Sequence, residues 1–100
     1  MSILAVIPAR LGATRLPRKP LRLLGGVPLV VRVWERVRAL GLADRVVAAT
    51  ESPEVMAVLE AHGAEGVLTS PDHPSGTDRV AEVARHPEYA GHDIVVNVQG

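Results

Sequence analysis

Ile3-Leu4-Ala5-Val6-Ile7 runs directly into Pro8-Ala9-Arg10-Leu11-Gly12-Ala13-Thr14-Arg15-Leu16-Pro17-Arg18-Lys19. The first five residues are a short unbroken apolar run, the pattern of a strand covered on both faces. The following stretch cannot continue that strand, because Gly12 and Pro17 punctuate it and Arg10, Arg15, Arg18 and Lys19 fill it with cations. A buried strand that hands over to a shaped basic loop fits an open α/β sheet, whose ligands bind beyond the carboxyl ends of the strands. Arginine clamps phosphate oxygens with two parallel hydrogen bonds, and lysine acts as a compact point charge. A polyphosphate therefore suits this loop, although a solvated basic surface loop would have the same composition.

The rest of the chain repeats the alternation. Residues 45–50 (Arg-Val-Val-Ala-Ala-Thr) and 93–98 (Asp-Ile-Val-Val-Asn-Val) have the same strand pattern, and Gly66-Val67-Leu68 is a shorter fourth candidate. Between them Leu29, Val30, Val33, Val37 and Leu40 recur at helical spacing, with Pro28 suited to the first turn and Gly41 to the exit. A second helix opens with Ser52 as N-cap, Pro53 at its first position and Glu54 at the positive dipole end, and runs to His62-Gly63. A third starts near Ser75 or Thr77, turns Val80, Ala81, Val83 and Ala84 inward, and stops before Pro87. The order strand, long loop, helix, strand, helix, strand, helix, strand predicts an α/β fold with a mainly parallel sheet flanked by helices. No repeat, low-complexity segment or linker interrupts it. The chain stops at Gly100, directly after a strand, so the 100 residues read as the first portion of a larger enzyme.

Composition narrows the functional classes. With 47% apolar and 22% charged residues, the chain has the balance of a soluble globular protein. Its formal net charge is zero, so no bulk field draws it to nucleic acid or to a membrane surface. Trp34 and Tyr89 are the only aromatics, which leaves no stacking platform for single-stranded nucleic acid. The absence of cysteine removes disulfides and thiolate metal sites. No apolar run approaches the roughly 18 residues of a membrane helix, and no signal peptide opens the chain, so the cytoplasm is the default location. Neither GxGxxG nor GxxxxGK[ST] occurs, against a dinucleotide fingerprint and a Walker loop. His62, His73, His86 and His92 lack ligand spacing. Asp72-His73 has no nucleophile partner. Asp44 and Glu51, near the ends of the second strand, read as helix-cap or surface residues.

Two further blocks are ambiguous on spacing alone. In Ser75-Gly76-Thr77-Asp78-Arg79, Ser75 or Thr77 can cap a helix and Asp78 suits its dipole, but capping does not require Arg79 near the positive end. Gln99, at a strand's carboxyl end, offers donor and acceptor to a base or ribose, as would any polar residue at a sheet edge.

Together the blocks carry a resemblance. Ile7-Pro8-Ala9-Arg10 through Arg15-Leu16-Pro17-x-Lys19-Pro20-Leu21 is similar to a loop shared by many nucleotidyltransferases. His73-Pro74-Ser75-Gly76-Thr77-Asp78-Arg79 and Val96-Asn97-Val98-Gln99-Gly100 are more specific. In this order the three resemble the 3-deoxy-manno-octulosonate (Kdo) cytidylyltransferases, with the sialic acid cytidylyltransferases as more distant relatives. The resemblance implies a Rossmann-like nucleotidyltransferase fold, with residues 1–100 as the N-terminal, CTP-binding portion of a larger domain. It implies that the anomeric hydroxyl of Kdo attacks the α-phosphorus of CTP, giving CMP-Kdo and pyrophosphate for lipopolysaccharide synthesis. Arg10 and Lys19 would then be catalytic, stabilising the triphosphate and the developing pyrophosphate charge. Ala9, Arg15, Ser75, Arg79 and Gln99 would join them around CTP, Ser75 and Arg79 on the cytidine side. Magnesium is implied as cofactor with no ligand in this chain, its aspartate being expected directly after Gly100. The full-length enzyme is expected to be a homodimer, with no nucleic-acid or membrane partner, and the 100 residues alone to be inactive. Transfer to N-acylneuraminate or another sugar, and a non-catalytic nucleotide-binding fragment, are the competing expectations. Ala13 and Arg18 stand where the family commonly has serine and glycine.

Overall fold

In the computed structural model, which describes residues 2–11, 19–72 and 76–98, the opening apolar run is β1 (Ile3–Pro8). After the basic loop the chain makes a 3-10 turn (Lys19–Leu21) and a small hairpin of β2 (Leu23–Leu24) and β3 (Val27–Pro28). Then follow α1 (Leu29–Leu40), β4 (Arg45–Thr50), α2 (Pro53–Ala61), β5 (Gly66–Leu68), α3 (Gly76–Arg85) and β6 (Ile94–Asn97). The main sheet has the order β5-β4-β1-β6, and every neighbouring pair is parallel. The chain thus steps outward from β1 to β5, then crosses back to lay β6 on the other side of β1. That reversal places a topological switch point at β1, where open α/β sheets form their ligand crevice.

The unbroken apolar code of β1 is explained by cover on both faces. Ala5 and Ile7 pack with Val46 and Ala48 under α1 and α2, while Leu4 and Val6 pack with Val47 and Ala49 under α3. The α1 face differs from the expected stripe. It buries Val30, Val31 and Trp34, leaves Val33 and Val37 half-buried, and exposes Leu40. The indole accounts for the rotation: Trp34 Nε1 donates to the Val46 carbonyl at 3.0 Å, which turns that side of the helix onto the sheet. Pro28 lies in β3, one residue before the helix rather than in its first turn, while Gly41 closes α1 in the left-handed conformation as expected. Ser52 caps α2, its hydroxyl accepting the Val55 N–H at 3.2 Å. In α3, Val80 and Val83 are buried as expected, Ala81 and Ala84 are half-buried, and Arg79 is buried as well.

Two features depart from the sequence reading. The long loop contains the hairpin, whose Gly25-Gly26 turn has φ of 62° and 81°, values that glycine adopts without steric cost. Strand β6 was expected to be buried on both faces, yet Ile94, Val95 and Val96 are 39%, 36% and 41% exposed. It lies at the edge of the sheet, and the described residues do not cover it.

The amino-terminal edge of the sheet is closed by charged groups. Asp44 accepts the Ile3 N–H at 2.6 Å, and Asp93 accepts the Ser2 N–H at 2.9 Å, so Asp44 ties β1 rather than capping a helix. Arg45 forks onto Glu65, with Nε 2.9 Å and Nη2 2.6 Å from Oε2, and its guanidinium stacks 4.5 Å from the Tyr89 ring. The Tyr89 hydroxyl donates to the same Glu65 oxygen at 2.8 Å. Burial, and then the bond to Glu65, raise the Tyr89 pKa. The folded state therefore keeps the phenolic proton above pH ~10, where the unfolded chain releases it. The Tyr89 contribution is intact below that pH and is lost as pH rises toward the raised folded value.

Two outcomes are expected. Chemical denaturation across pH 8–11 should show stability falling above pH ~10, and Tyr89→Phe should flatten that fall while costing about 1–2 kcal/mol at neutral pH. At Gly66 an added Cβ would sit 2.8 Å from Leu59 Cδ1 and 2.9 Å from Met56 Sδ. Gly66→Ala should accordingly cost about 1–3 kcal/mol in a urea titration, because Leu59 is fully buried.

Candidate functional site

Parallel strands bring their carboxyl ends to one edge. Arg10 follows β1, Glu51 follows β4, Thr69 and Ser70 follow β5, and Val98 follows β6. The basic loop leaves this edge at β1, beside the switch point.

Both ends of that loop are anchored. Ala9 is buried and donates its N–H to the Ala49 carbonyl at 2.7 Å, extending the ladder one step past β1. Arg10 is exposed. The next donor, Leu11 N–H, meets the Glu51 carboxylate at 3.2 Å. At the far end, Lys19 opens the 3-10 turn and its carbonyl accepts the Arg22 N–H at 3.1 Å. Pro20 is buried, and Leu11 and Leu21 both pack onto the α1–α2 side of the core. The hairpin beyond is fastened to α1 by Arg32, which donates to the carbonyls of Leu24 (3.0 Å) and Gly25 (3.2 Å). Arg10 and Lys19 thus stand at the two fixed ends of the loop.

Arg79 lies on the first turns of α3 and is 1% exposed. Its Nη1 donates to the Thr69 hydroxyl and to the Ser70 carbonyl, the latter at 3.2 Å. One helical turn on, Glu82 accepts the Ser70 N–H at 3.0 Å. α3 therefore grips the segment after β5 by a cation and a carboxylate. This is the physical reason for a buried arginine near a positive helix end, a position that capping alone leaves unexplained. Among the residues read from sequence, Ala9, Arg10 and Arg79 are placed at this edge, Lys19 opens the 3-10 turn beyond the loop, and Arg15, Ser75 and Gln99 lie outside the described residues. Glu51, which by sequence reads as a cap or surface group, instead bonds the loop backbone at Leu11. A carboxylate directly after a buried strand, level with the exit of its neighbour, was the available signal.

Other groups do not converge. His62 ends α2, His92 Nδ1 lies 3.0 Å from the Tyr89 carbonyl, and His86 packs beside Tyr89. Among the described residues, no group of three or more His, Cys, Asp or Glu side chains is arranged to hold a metal ion. A cleft of about 550 Å³ lined by Trp34, Arg38, Asp44, Val46 and Glu65 opens at the opposite, amino-terminal edge, away from the basic loop.

Comparison with known proteins follows the same lines. The cytidylyltransferase family model matches residues 4–100. A 3-deoxy-manno-octulosonate cytidylyltransferase of Gemmatimonas aurantiaca is 65% identical over 100 residues, which is all of this chain and 39% of that protein. Proteins of the same name from Polynucleobacter asymbioticus and Yersinia pseudotuberculosis are 59% and 55% identical, over 97% and 100% of this chain and 38% and 40% of theirs. The chain spans about two fifths of the length of these curated relatives. A solved structure of a CMP:2-keto-3-deoxy-manno-octonic acid synthetase complexed with CTP superimposes with a TM-score of 0.90 at 38% identity, over 99% of this chain and 40% of that one. The α/β architecture with its parallel sheet is thus shared with that enzyme.

The grip of α3 can be measured. Arg79→Met keeps the aliphatic bulk but leaves Thr69 and Ser70 without their charged donor. It should lower the unfolding free energy by about 1.5–3 kcal/mol in urea and accelerate amide exchange around residue 70. Arg79→Lys should not restore the loss, since a single ammonium does not reproduce the planar fork.

Proposed function

This chain belongs to the cytidylyltransferase family, and from that premise we propose that the whole protein transfers CMP from CTP to 3-deoxy-D-manno-octulosonate. Residues 1–100 form its nucleotide-binding portion. One observation carries the proposal: a basic loop, fixed at both ends beside the switch point of a parallel sheet, bears Arg10 and Lys19 on a fold shared with a synthetase complexed with CTP.

The chemistry suits these groups. The anomeric hydroxyl oxygen of the sugar attacks the α-phosphorus, a new O–P bond forms, and the bond to the β-phosphate oxygen breaks. Pyrophosphate leaves with the bonding electrons, and the hydroxyl proton passes to solvent. Such a step needs positioning and charge neutralisation rather than a covalent intermediate. Arg10 and Lys19 hold the triphosphate and stabilise the charge that grows on pyrophosphate, with Arg15 assisting and the Ala9 backbone against the nucleotide. Ser75, Arg79 and Gln99 make the cytidine side, Arg79 with its Nη1 already set on Thr69 and Ser70.

Magnesium belongs to this proposal, but the described residues do not form its site: they offer no three-ligand cluster, and the Glu51 carboxylate already accepts the Leu11 N–H. Its ligands are assigned to the sequence after Gly100. The proposal extends to a cytoplasmic homodimer that supplies CMP-Kdo to lipopolysaccharide synthesis. Among the described residues no helix is long and apolar enough to cross a membrane.

The test is pyrophosphate release by the whole protein from CTP and Kdo. Arg10→Ala and Lys19→Ala should each lower kcat/KM by about 10²–10³. Equal turnover with N-acylneuraminate would overturn the sugar assignment, and calorimetric binding of ATP or GTP as tight as CTP would overturn the nucleotide assignment.

A further inference from the structure

One hydrogen bond at the carboxyl edge lies outside the proposed chemistry. β1 and β4 pair in parallel up to Pro8↔Ala49, and Ala9 N–H adds a bond to the Ala49 carbonyl at 2.7 Å. In a parallel ladder donors and acceptors advance two residues at a time, so Leu11 N–H comes next and its regular acceptor would be the Glu51 carbonyl. β4 has ended at Thr50, and Ser52 already caps α2, so the chain turns away at that point. Leu11 N–H instead donates to the Glu51 side chain, with Oε1 at 3.2 Å. A carboxylate has taken the place of the missing rung.

That carboxylate is itself oriented. Thr50 is fully buried, and its Oγ1 accepts the Ser52 N–H at 3.1 Å and reaches Glu51 Oε1 at 3.4 Å as a donor. The relay runs from the capped start of α2, through Thr50 and Glu51, to the backbone of Leu11. Arg10 lies between the last regular rung and this substitute one. A negative charge beside a triphosphate-binding loop is electrostatically unfavourable in itself. What the loop gains from Glu51 is an acceptor at a fixed point.

We propose that Glu51 is a positioning residue for triphosphate binding: it fixes the Arg10–Leu11 backbone by supplying the final rung of the β1–β4 ladder. The proposal rests on the assignment of the loop to the triphosphate of CTP. Fixing the backbone before the nucleotide arrives lowers the ordering cost of binding. The effect should therefore fall on the KM for CTP with kcat nearly unchanged.

The experiment uses the whole protein with Glu51→Ala, Glu51→Gln and Thr50→Val, combining steady-state kinetics with residue-resolved hydrogen exchange. Glu51→Ala is expected to raise the KM for CTP about tenfold, leave kcat within about twofold, and speed exchange at the Leu11 amide about tenfold or more. Glu51→Gln keeps the acceptor oxygen without the charge and should recover both quantities to within about threefold. Thr50→Val keeps the shape, loses the relay hydroxyl and should move both in the same direction by less, which also serves if Glu51→Ala fails to fold. Unchanged Leu11 exchange in Glu51→Ala, or a Gln variant as impaired as the Ala variant, would overturn the proposal. If the unaltered protein releases no pyrophosphate from CTP, the triphosphate assignment fails, and unchanged Leu11 exchange in Glu51→Ala would then still overturn the role of Glu51 in holding the loop.

Discussion

The structure depends on one pairing, the parallel ladder of β1 on β4, buried on both faces. Leu4, Val6, Val47 and Ala49 meet α3, while Ala5, Ile7, Val46 and Ala48 meet α1 and α2. All eight are buried, and their backbone groups could not be hidden unless the ladder satisfied them. A one-residue slip would exchange the two sets and carry Trp34 away from the Val46 carbonyl that it bonds. Register is therefore held by side-chain size on two faces and by a hydrogen bond from the helix above. With register fixed, Arg10, Glu51 and the Thr69–Ser70 segment are set along the carboxyl edge.

Much of this was legible in the sequence because each element has its own pattern. The unbroken apolar runs at 3–7 and 45–50, Ser52-Pro53 before α2 and Gly41 after α1 all appear where local chemistry puts them. Departures occur where a nonlocal partner decides. The rotation of α1 follows from Trp34 finding an acceptor on a strand 12 residues away, which helical periodicity cannot encode. The hairpin of two-residue strands is too short for a period-2 signal, and Gly25-Gly26 was its only mark. β6 has the code of a two-face-buried strand, yet the described residues leave it exposed; that code asks for covering layers, and the chain spans about two fifths of its curated relatives.

The candidate site is legible in a different way. A cluster of cations around Gly12 and Pro17 indicated an anion, because charge and loop chemistry are local properties. The proposed cytidine and Kdo are not readable from spacing; they rest on the likeness of whole blocks. Arg79 and Glu51 show what lies between. From sequence, capping and ligand binding are equally open for the block ending in Arg79, and the folded chain adds that this arginine holds Thr69 and Ser70. Glu51 passed for a cap, since its partner, the Leu11 amide, is 40 residues distant. Both residues bond main-chain atoms at the carboxyl edge of the sheet, Glu51 the Leu11 N–H and Arg79 the Ser70 carbonyl.

At both edges of the sheet carboxylates accept main-chain N–H groups, and the two edges differ in what their arginines contact. At the amino-terminal edge Arg45 is consumed in contacts with other side chains, forked onto Glu65, stacked on Tyr89 and within 3.2 Å of Glu88, while Asp44 and Asp93 accept the Ile3 and Ser2 N–H groups. Such a network resists change because each member holds the next. At the carboxyl edge the charged groups Glu51, Arg79 and Glu82 are directed at main-chain atoms and the Thr69 hydroxyl, and Arg10 stands exposed between two backbone anchors. Glu51 accepts the Leu11 N–H and the Thr50 hydroxyl, Glu82 accepts the Ser70 N–H, and Arg79 donates to oxygens. The backbone of Ala9 and Leu11, on either side of the exposed Arg10, is thereby tied to the sheet edge. If the edge receives an anion as proposed, it meets a cation whose neighbouring backbone is already tied, and less of its binding energy goes into building the site.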